Sequence, residues 1–424
     1  MRTFLDKFFL RSNNLENISQ KLKSLSKQNS VSKIFDAINS FSNSSEVRYV
    51  GGCVRKAINE EKIEDIDLAT NLEPTEVCEV LKKNEINFYE SGIEHGTITA
   101  LIDDYKFEIT SLREDILTDG RHAQVKFSKD WKKDASRRDF TINSIYSDKE
   151  GNLFDPYNGK NDLEIGQINF IGDPEKRINE DYLRILRYIR FFLNYSKKKH
   201  DPQIIKLLRM NLDGVSKLSK ERLLDELKKI LKINILINLS KDKTILDIME
   251  IIFPELKYFN TFSKLNSEAK NILNENDFIF LICLLIIDDT DNTDYFLYKF
   301  KISKKNQKRI KNIDNFYKEK ITSNTFTEKN MNKIFYYKGK EALIDILNFR
   351  VLKIKKRDQN LMELINKYKN KTVPIMPVKA DILMSKFNIS EGKVLGDKLK
   401  IIEDEWVKNN FQISDKQVEN IIKD

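Results

Sequence analysis

Two acidic residues lie one residue apart in DIDLAT, residues 65–70, a segment that otherwise reads as a buried strand. Because residues two apart on a strand share a face, Asp65 and Asp67 project together, while the apolar residues beside them point to the other face. A second strand-like segment, KFEITSL, places Glu108 among alternating apolar residues in the same way. If the two strands are neighbours, three carboxylates converge on one face of a sheet, where they repel one another.

A bound divalent cation would relieve this repulsion. Mg²⁺ prefers hard oxygen ligands, keeps several waters and shares its remaining positions with substrate phosphates. Two such ions about 4 Å apart can activate an attacking hydroxyl and stabilise a leaving phosphate oxygen. The competing interpretation is a solvated strand face, which explains most isolated pairs of acids. The acids therefore indicate phosphoryl-transfer chemistry only if their surroundings can also bind a phosphate.

A candidate phosphate-binding turn precedes the acidic strand. VGGCVR, residues 50–55, reads as the end of a strand, two glycines and the start of a helix. Gly51 and Gly52 allow backbone N–H groups to approach a phosphate, and Arg55 follows close by. Paired glycines on their own more often serve simple turn geometry. A short way before DIDLAT, however, they favour a nucleotide-binding site.

The elements that must position these residues change character along the chain. From Val47 to about Ile171, short alternating segments are separated by turn residues, which predicts a mixed α and β domain. One helix, TEVCEVLKKN, interrupts them, with Thr75 as its expected N-cap. After Asp173, helical periodicity continues to about Asn370, and the two prolines of NKTVPIMPVKA predict a linker before a last helical unit. The length of 424 residues suggests two to four domains.

One long helix is predicted for GDPEKRINEDYLRILRYIRFFLNY, with Asp173 as its cap and Pro174 at its first position. Five apolar residues form a stripe along this helix: Ile178, Tyr182, Ile185, Ile189 and Leu193. Asp181 lies beside the stripe, and Arg184 and Arg187 lie roughly opposite it. For an isolated DxxR pattern, a solvated salt-bridge face is the alternative explanation.

Positive charge is concentrated in one part of the chain. The net charge is +9, but residues 301–369 hold 19 Lys or Arg against 7 Asp or Glu, a net +12. A polyanion is the natural partner of such a segment, although solvated lysine-rich helices are also common. Charge alone therefore leaves nucleic-acid binding and a merely solvated surface equally open.

Three further features bear on class and compartment. The longest apolar run, FIFLICLLII at residues 278–287, is half the roughly 20 residues of a membrane span and predicts a buried helix. Charged residues interrupt the apolar N-terminus, so residues 1–30 are expected to form a leader or short helix rather than a signal peptide. The three cysteines lie far apart, which indicates a reducing, cytoplasmic setting.

Several motifs occur together in a fixed order. They are VGGCVR, DIDLAT, GIEHGTIT, LREDILTDGRHAQV, DASRRDFTINSIY, DPYNGKNDL, INEDYLRILRYIRF and LSKERLLDELKKIL. In these motifs the chain resembles the class II CCA-adding tRNA nucleotidyltransferases of the bacterial and mitochondrial type. The resemblance is densest from Tyr49 to about Leu231, weakens through the helical body and returns faintly in DILMSKF and LKIIEDEW.

The resemblance implies a fold and an activity. The fold is α+β: a polymerase-beta-like head with a small mixed sheet, followed by an all-helical neck, body and tail. The expected boundaries are 1–30 for the leader, 31–171 for the head, 172–240 for the neck, 241–370 for the body and 371–424 for the tail. The activity is template-independent addition of C, C and A to the tRNA 3′ end from CTP and ATP, with Mg²⁺ as cofactor and pyrophosphate as product. No membrane partner is expected.

The resemblance also implies roles for single residues. Asp65 and Asp67 would hold Mg²⁺, with Glu108 as a third catalytic carboxylate. The implied nucleotide-binding residues are Gly51, Gly52, Arg55, Arg138, Asp139, Asp181, Arg184, Arg187 and Arg190. The family usually has an aspartate after GGxVR, where this chain has Lys56. That departure puts in doubt the hydrogen bonds that the acid makes, but it leaves the metal site untouched.

Within the nucleotide-binding set, the glycines and Arg55 would hold the triphosphate, and Asp139 would lie near the ribose 2′-hydroxyl. Asp181 and Arg184 would read the base edge, and this pairing has a chemical rationale. A carboxylate accepts from the exocyclic amine that cytosine and adenine share, and a guanidinium donates to their common acceptors. Uracil and guanine present a carbonyl at that position, so a fixed Asp/Arg pair would accept C and A and reject U and G.

Other functions compete with this interpretation. Bacterial poly(A) polymerases share the head motifs, but they typically carry a basic run where this chain has SGIEHGTITALID. Some relatives add only CC or only A, whereas the segment from LREDILTDG to SRRDF has the length of a complete flexible loop. A non-catalytic tRNA-binding protein is disfavoured because the acidic and basic motif residues are retained. The histidines His95, His122 and His200 are too few for a phosphohydrolase metal centre, and the His200-Asp201 pair reads as a coincidence.

Overall fold

The computed structural model describes residues 17–25, 28–118, 123–319, 325–354 and 358–423. The chain divides between Leu227 and Lys228 into two compact units. The first contains all the strands of the described part, and the second is helical there, so the predicted α+β class is confirmed. Within the described ranges, no helix has both the length and the apolarity needed to cross a bilayer.

A mixed sheet of seven strands forms the centre of the first unit. Its strand order is β3-β4-β5-β2-β1-β8-β9, and a separate two-stranded hairpin pairs β6 with β7. The β2–β5 pair is parallel, whereas the other pairs are antiparallel. The strands are β1 Val47–Val50, β2 Ile66–Thr70, β3 Asn87–Gly92, β4 Thr97–Ile102, β5 Tyr105–Ser111, β6 Arg113–Thr118, β7 Ala123–Phe127, β8 Tyr146–Ser147 and β9 Leu153–Phe154.

Helices cover and extend this sheet. They are α1 17–25, α2 Asn29–Asn39, α3 Gly52–Ile58, α4 Pro74–Lys83, α5 Trp131–Ser136, α6 Gly159–Ile165, α7 Pro174–Glu180, α8 Leu183–Tyr195, α9 Pro202–Met210, α10 Leu212–Val215 and α11 Lys220–Ile230, the last of which crosses the division between the units. An aromatic cluster holds α8 in place: Phe140 lies 4.7 Å from Phe170 and 5.4 Å from Phe191 between ring centroids. The loop that carries the RRDF motif is thereby packed against α8.

The second unit contains α12 Ile233–Leu239, α13 Lys243–Ile252, α14 Ser267–Glu275, α15 Phe278–Ile286, α16 Asn292–Phe300, α17 Lys304–Lys318, α18 Glu328–Lys338, α19 Lys340–Lys353, α20 Gln359–Lys369, α21 Ala380–Phe387, α22 Lys393–Lys408 and α23 Asp415–Lys423. The predicted buried helix is confirmed, because every residue of α15 from Ile279 to Ile286 is buried. Leu383, Leu395, Ile402 and Val418 form a separate small core among the last three helices. The proline-containing segment before α21 is not helical, as the linker prediction expects.

Two local predictions are wrong. Thr75 is not the cap of α4: the helix begins one residue earlier, at Pro74, and Glu73 caps it together with Glu76 in a reciprocal capping box. The long helix after Asp173 is two helices, because Asp181 is extended, with φ −154° and ψ 104°. Asp173 does cap the first of them, accepting from the N–H of Lys176.

Where it is described, the predicted leader is helical, one of the two forms that the sequence analysis expects. Residues 17–25 are helical, and Ile18 and Leu22 are buried. Helix α2 begins at Asn29, just before the predicted start of the head. The earlier part of the leader, residues 1–16, lies outside the described residues.

Candidate active site

Three carboxylates lie near one another at the centre of the sheet. The parallel register of β2 and β5 places Asp67 directly opposite Glu108, and Asp65 comes immediately before β2. Asp67 is affected by both neighbours: burial raises the pKa of its carboxyl, and the charges of Glu108 and Asp65 add to that rise. The positive charge of Arg138 acts in the opposite direction. The predicted convergence of acids on one sheet face is therefore present in the structure.

The glycine turn lies against these acids. Gly51 has φ +65°, a conformation that favours glycine, and a side chain there would come within 3.6 Å of the Arg138 guanidinium. A Cβ atom on Gly52 would lie 3.5 Å from Oδ2 of Asp67. The turn therefore brings bare backbone close to both a carboxylate and a guanidinium, an arrangement in which a phosphate group could bind between opposite charges.

The fit of this site to a divalent cation can be judged from its donors. Among the described residues, no group of three or more His, Cys, Asp or Glu side chains is arranged to hold a metal ion. Asp65 and Asp67 nevertheless supply hard carboxylate oxygens, and burial, followed by the negative charges of Glu108 and Asp65, raises the pKa of Asp67. Mg²⁺ is commonly bound by one or two carboxylates together with substrate phosphates, and this donor set fits that pattern.

Arg55, which is predicted to hold the triphosphate, is buried. It is 8% exposed, and its guanidinium lies 4.7 Å from the ring centroid of Phe191 and 5.3 Å from that of Tyr195. Nη1 donates to the side chain of Asn143, whereas Nε is buried and has no hydrogen-bond acceptor among the described residues. Arg55 thus links α3 to α8 and retains an unsatisfied donor.

Asp134, which sequence analysis missed, anchors Arg138. This carboxylate is 1% exposed and accepts from the side chains of Arg137, Arg138 and Tyr146. Burial alone would raise the pKa of the Asp134 carboxyl, but the charges of Arg138 and Arg137 outweigh it and hold that pKa well below the usual range. The DASRRDF motif contains Asp134 three and four residues before the two arginines, a spacing that could have predicted these i,i+3 and i,i+4 pairs.

Asp139 is engaged by protein groups on both oxygens. Oδ1 accepts from the N–H of Phe140 at 2.9 Å and from Nδ2 of Asn143 at 2.8 Å, and Oδ2 accepts from Arg187. The structure therefore places Arg187 as the partner of Asp139. The predicted ribose contact of Asp139 would have to use a lone pair that these donors leave free.

The engagement of Asp139 predicts an acid-sensitive first unit. Burial would raise the pKa of its carboxyl, but Arg187 and the hydrogen bonds of Asn143 and Phe140 hold that pKa well below the usual range. Because the folded-state pKa lies below the unfolded value of about 3.9, the stabilisation is complete above about pH 4 and is lost as the pH falls further. We expect Asp139→Asn to reduce this acid-induced loss in the free energy of unfolding by on the order of 1–3 kcal/mol.

The measurement is thermal unfolding as a function of pH. The unfolding temperature of the wild-type protein should fall more steeply below about pH 4 than that of Asp139→Asn. Asp104→Asn, which changes an exposed carboxyl in the β4–β5 turn, serves as the control and should follow the wild type. Parallel curves for wild type and Asp139→Asn would contradict the assignment.

Asp181 and Arg184 do not pair with each other's side chains. Oδ2 of Asp181 accepts from Arg222 at 2.8 Å, and its Oδ1 accepts from the N–H of Leu183. Arg184 donates through Nη1 to Glu180 and to the carbonyl of Arg177, both at 2.6 Å. At the break between α7 and α8, Asp181 and Arg184 therefore have separate hydrogen-bond partners.

The remaining arginine of the predicted set lies deeper. Arg190 pairs with Glu226, which is 1% exposed, and its guanidinium lies 4.1 Å from the ring centroid of Phe191. Burial lowers the pKa of Arg190 relative to an exposed arginine, against the charge of Glu226. This position makes Arg190 part of the packing between α8 and α11, and its predicted nucleotide contact stays a prediction.

Arg177 was also missed by sequence analysis. Its Nη2 donates to the carbonyls of Arg137 and Arg138, and its Nη1 donates to Glu180. It thereby fastens α7 to the loop that carries Arg137 and Arg138. No sequence signal pointed to this contact, because main-chain carbonyls forty residues away leave no pattern in side-chain spacing.

The histidines take no part in a metal centre of the described residues. The main-chain carbonyl of His95 accepts from Arg113, and the ring of His200 stacks on Phe192 at 4.0 Å between centroids. Asp201, the second member of the His200-Asp201 pair, caps α9 by accepting from the N–H of Gln203. His122 lies outside the described residues.

Two family models match separate parts of the chain. A model of the poly A polymerase head domain matches residues 47–169, which include the sheet and its carboxylates. A model of tRNA nucleotidyltransferase domain 2 matches residues 271–421 in the second unit. The two matches follow the division between the mixed and the helical parts of the chain.

Similar proteins cover most of the chain. The human CCA tRNA nucleotidyltransferase 1, mitochondrial, is 34% identical over 389 residues, which is 89% of this chain and 86% of the human protein. The CCA-adding enzyme of Staphylococcus haemolyticus is 31% identical over 307 residues, 71% of this chain and 72% of that enzyme.

Solved structures share the fold. A Bacillus stearothermophilus CCA-adding enzyme in complex with CTP matches 92% of this chain and 95% of its own, with a TM-score of 0.67 and 19% identity. A Thermotoga maritima CCA-adding enzyme complexed with tRNA matches 95% of this chain and 98% of its own, with a TM-score of 0.61 and 19% identity.

Proposed function

The chain belongs to the CCA tRNA nucleotidyltransferase family, and we propose on that basis that it adds C, C and A to tRNA 3′ ends without a template. CTP and ATP would be the substrates and pyrophosphate the second product. The observation that carries the proposal is the group formed by Asp65, Asp67 and Glu108 beside the Gly51–Gly52 turn. Relatives named for CCA addition, aligned over most of their own length, support the same activity.

In the proposed reaction, the tRNA 3′-hydroxyl releases its proton to solvent, and its oxygen forms a bond to the α-phosphorus as the bond from that phosphorus to pyrophosphate breaks. Asp65 and Asp67 would hold Mg²⁺, which when bound would stabilise the charge on the reacting oxygens. The Gly51–Gly52 turn would approach the triphosphate with bare backbone, since neither glycine carries a side chain toward Arg138 or Asp67. Arg138 would then place its charge against the phosphates, and the unsatisfied Nε of buried Arg55 is a further donor near this site.

Base selection is proposed for Asp181 and Arg184. A carboxylate has about four acceptor sites, and the two hydrogen bonds of Asp181 leave others for an exocyclic amine. Both contacts of Arg184 use Nη1, so N–H groups on its other nitrogens can donate to a base. The pair can therefore read a base edge while its members keep their present partners, which would hold the two side chains in place.

The experiment is nucleotide incorporation by the purified protein. A tRNA lacking CCA is incubated with Mg²⁺ and with CTP, ATP, UTP and GTP singly and together, and the 3′ ends are sequenced. Ends in CCA support the proposal. Long A tails on arbitrary RNA would instead indicate poly(A) polymerase, whose head-domain model also matches this chain. Addition that stops at CC, or that adds A only to a CC end, would indicate a partial enzyme.

A candidate RNA surface lies in the second unit around α16 and α17. Tyr298 is 84% exposed, and the exposed lysines Lys301, Lys304, Lys305 and Lys308 follow it closely. The first turn of α17 contains no acid, although the helix dipole disfavours lysines there. An exposed ring among lysines that form no ion pair with the described residues suits stacking on RNA and contact with its phosphates. We therefore place part of the proposed tRNA surface here.

The lysines at this surface should contribute to the salt dependence of tRNA binding. Removing two phosphate contacts with Lys304→Gln and Lys305→Gln should lower the slope of log affinity against log salt by about 1.5 to 2. Binding is measured by titration at several salt concentrations. Lys82→Gln with Lys83→Gln, an exposed pair on α4, is the matched control. Equal slopes for the two double variants would remove this surface from the proposal.

The compartment is proposed to be reducing and cytoplasmic. Cys53 and Cys283 are buried as free thiols, and burial raises the pKa of Cys53 to about 11. A thiol with that pKa stays protonated and unreactive. The human relative is named as mitochondrial, which makes the mitochondrion the alternative compartment.

A further inference from the structure

Asp134 forms hydrogen bonds both to Arg137 and Arg138 and to the two-stranded hairpin of β6 and β7. Its Oδ1 accepts from the backbone N–H of Arg113 at 3.3 Å and from Nε of Arg137 at 2.8 Å. Its Oδ2 accepts from Nη2 of Arg138 at 3.1 Å and from the hydroxyl of Tyr146 at 2.6 Å. Both oxygens of one buried carboxylate are therefore occupied by groups from four separate positions of the chain.

The contacts of Asp134 determine where Arg138 points. Nε of Arg138 also donates to the Tyr146 hydroxyl at 3.0 Å, so two acceptors fix the plane of the guanidinium. The remaining nitrogen, Nη1, is directed toward Gly51, within 3.6 Å of the position that a Cβ would take. Without the carboxylate, Arg138 would lose the charged acceptor that it shares with Arg137, and the two like charges would repel each other more strongly.

The same carboxylate fixes the base of the β6–β7 hairpin. Arg113, whose N–H donates to Asp134, is the first residue of β6, and its guanidinium donates to the carbonyl of His95. The next residue, Glu114, forms an ion pair of 3.0 Å with Lys133 of α5. The first two residues of β6 are thus fastened to the helix that carries Asp134.

We propose that Asp134 is a positioning residue for nucleotide addition. It holds the Arg138 guanidinium against the Gly51–Gly52 turn and fastens the hairpin base to the same point. Its effect on the nucleotide passes through Arg138, and Asp134 itself touches no substrate. This inference rests on the proposed function, because the reaction that Arg138 would serve is nucleotide addition.

The first test is steady-state kinetics of Asp134→Asn. The amide keeps the shape but loses the charge, and a misplaced Arg138 should raise KM for CTP and ATP about 10- to 100-fold. KM for tRNA should stay unchanged, because the candidate RNA surface lies elsewhere in the chain. Asp130→Ala is the control in the same helix: it removes the N-cap of α5 but none of the contacts of Asp134. An equal rise of both KM values, or the same rise in Asp130→Ala, would overturn the inference.

A double-mutant cycle separates positioning from general destabilisation. If Asp134 acts through Arg138, Asp134→Asn should change KM for CTP little once Arg138→Gln is present. Multiplicative effects of the two substitutions would overturn the inference. If Asp134→Asn does not fold, Tyr146→Phe replaces it, since this change removes one donor to Asp134 and one acceptor of Arg138 at nearly constant volume. A rise in KM for CTP in Tyr146→Phe supports the inference, and an unchanged KM overturns it.

Failure of the inference is distinguishable from failure of the proposed function. A wild-type protein that adds CCA, together with an Asp134→Asn variant of unchanged KM values, rejects only the role of Asp134. A wild-type protein that adds no nucleotide rejects the proposed function itself.

Discussion

Asp67→Ala is expected to lower kcat for nucleotide addition by about 1,000-fold or more while tRNA binding stays unchanged. The carboxylate lies between Glu108 and the glycine turn, where Mg²⁺ and the triphosphate are proposed to bind. Stabilisation of a phosphoryl-transfer transition state by a bound cation amounts to several kcal/mol, and each 1.36 kcal/mol is a factor of ten in rate. The loss should therefore appear in kcat at saturating nucleotide.

The control for this variant is Asp104→Ala, which removes an exposed carboxylate in the turn between β4 and β5. Both proteins should bind tRNA with the affinity of the wild type, and the control should keep its kcat. Asp67→Ala should also unfold no earlier than the wild type, because the raised pKa of Asp67 shows that its charge is disfavoured in the fold. Retained incorporation by Asp67→Ala would move the reacting centre away from this strand pair.

Sequence periodicity was sufficient to predict the carboxylate face but not its neighbours in space. Asp65, Asp67 and Glu108 follow the two-residue repeat of strands, which fixes the face of each side chain as soon as the strands are recognised. That β2 and β5 are adjacent and parallel is a property of the sheet topology, and the prediction had to assume it. The structure supplies that adjacency, and the register places Asp67 opposite Glu108.

The failed predictions have local physical causes. In α4, Pro74 suits the first helical position, and Glu76 reaches back to the N–H of Glu73, so these residues outweigh Thr75 as the start signal. In the predicted long helix, periodicity continues across Asp181, but Asp181 leaves the helical conformation, and its side chain accepts from Leu183 and Arg222. The apolar stripe keeps its helical spacing on both sides of residues 181–182, so the periodicity of the sequence does not reveal this two-residue interruption.

The partners of the residues that are proposed to bind the nucleotide were the hardest part to predict. The resemblance named Arg138, Asp139 and Arg187, but the ion pair between Asp139 and Arg187 joins residues 48 positions apart. The arginines that the motifs present as one set have different surroundings in the fold: Arg138 is held by Asp134, and Arg190 by Glu226. Motif order therefore identified the residues, and local spacing could have indicated the Asp134–Arg138 pair. The pairs of Arg187 with Asp139 and of Arg190 with Glu226 depend on how α8 packs against the RRDF loop and α11.

Asp181→Asn is expected to admit uracil. The carboxylate of Asp181 can only accept hydrogen bonds, which suits the exocyclic amine of cytosine or adenine and opposes the carbonyl of uracil. An asparagine amide can donate to that carbonyl, and its single oxygen can still accept from one of the two donors, Leu183 or Arg222, which contact different oxygens of Asp181. One good base-edge contact is worth about 1–3 kcal/mol of discrimination, so the ratio of kcat/KM for CTP over UTP should fall about 10- to 100-fold.

This specificity change is measured with single nucleotides on a tRNA lacking CCA. Asp213→Asn, an exposed carboxylate of α10, is the control and should keep the wild-type ratio. Arg222→Gln separates chemistry from position, because it removes the ion-pair partner of Asp181 but leaves the carboxylate an acceptor. It should lower kcat/KM for CTP without favouring UTP. If Asp181→Asn lowered kcat/KM equally for CTP and UTP and left their ratio unchanged, Asp181 would stabilise the break between α7 and α8 rather than read the base.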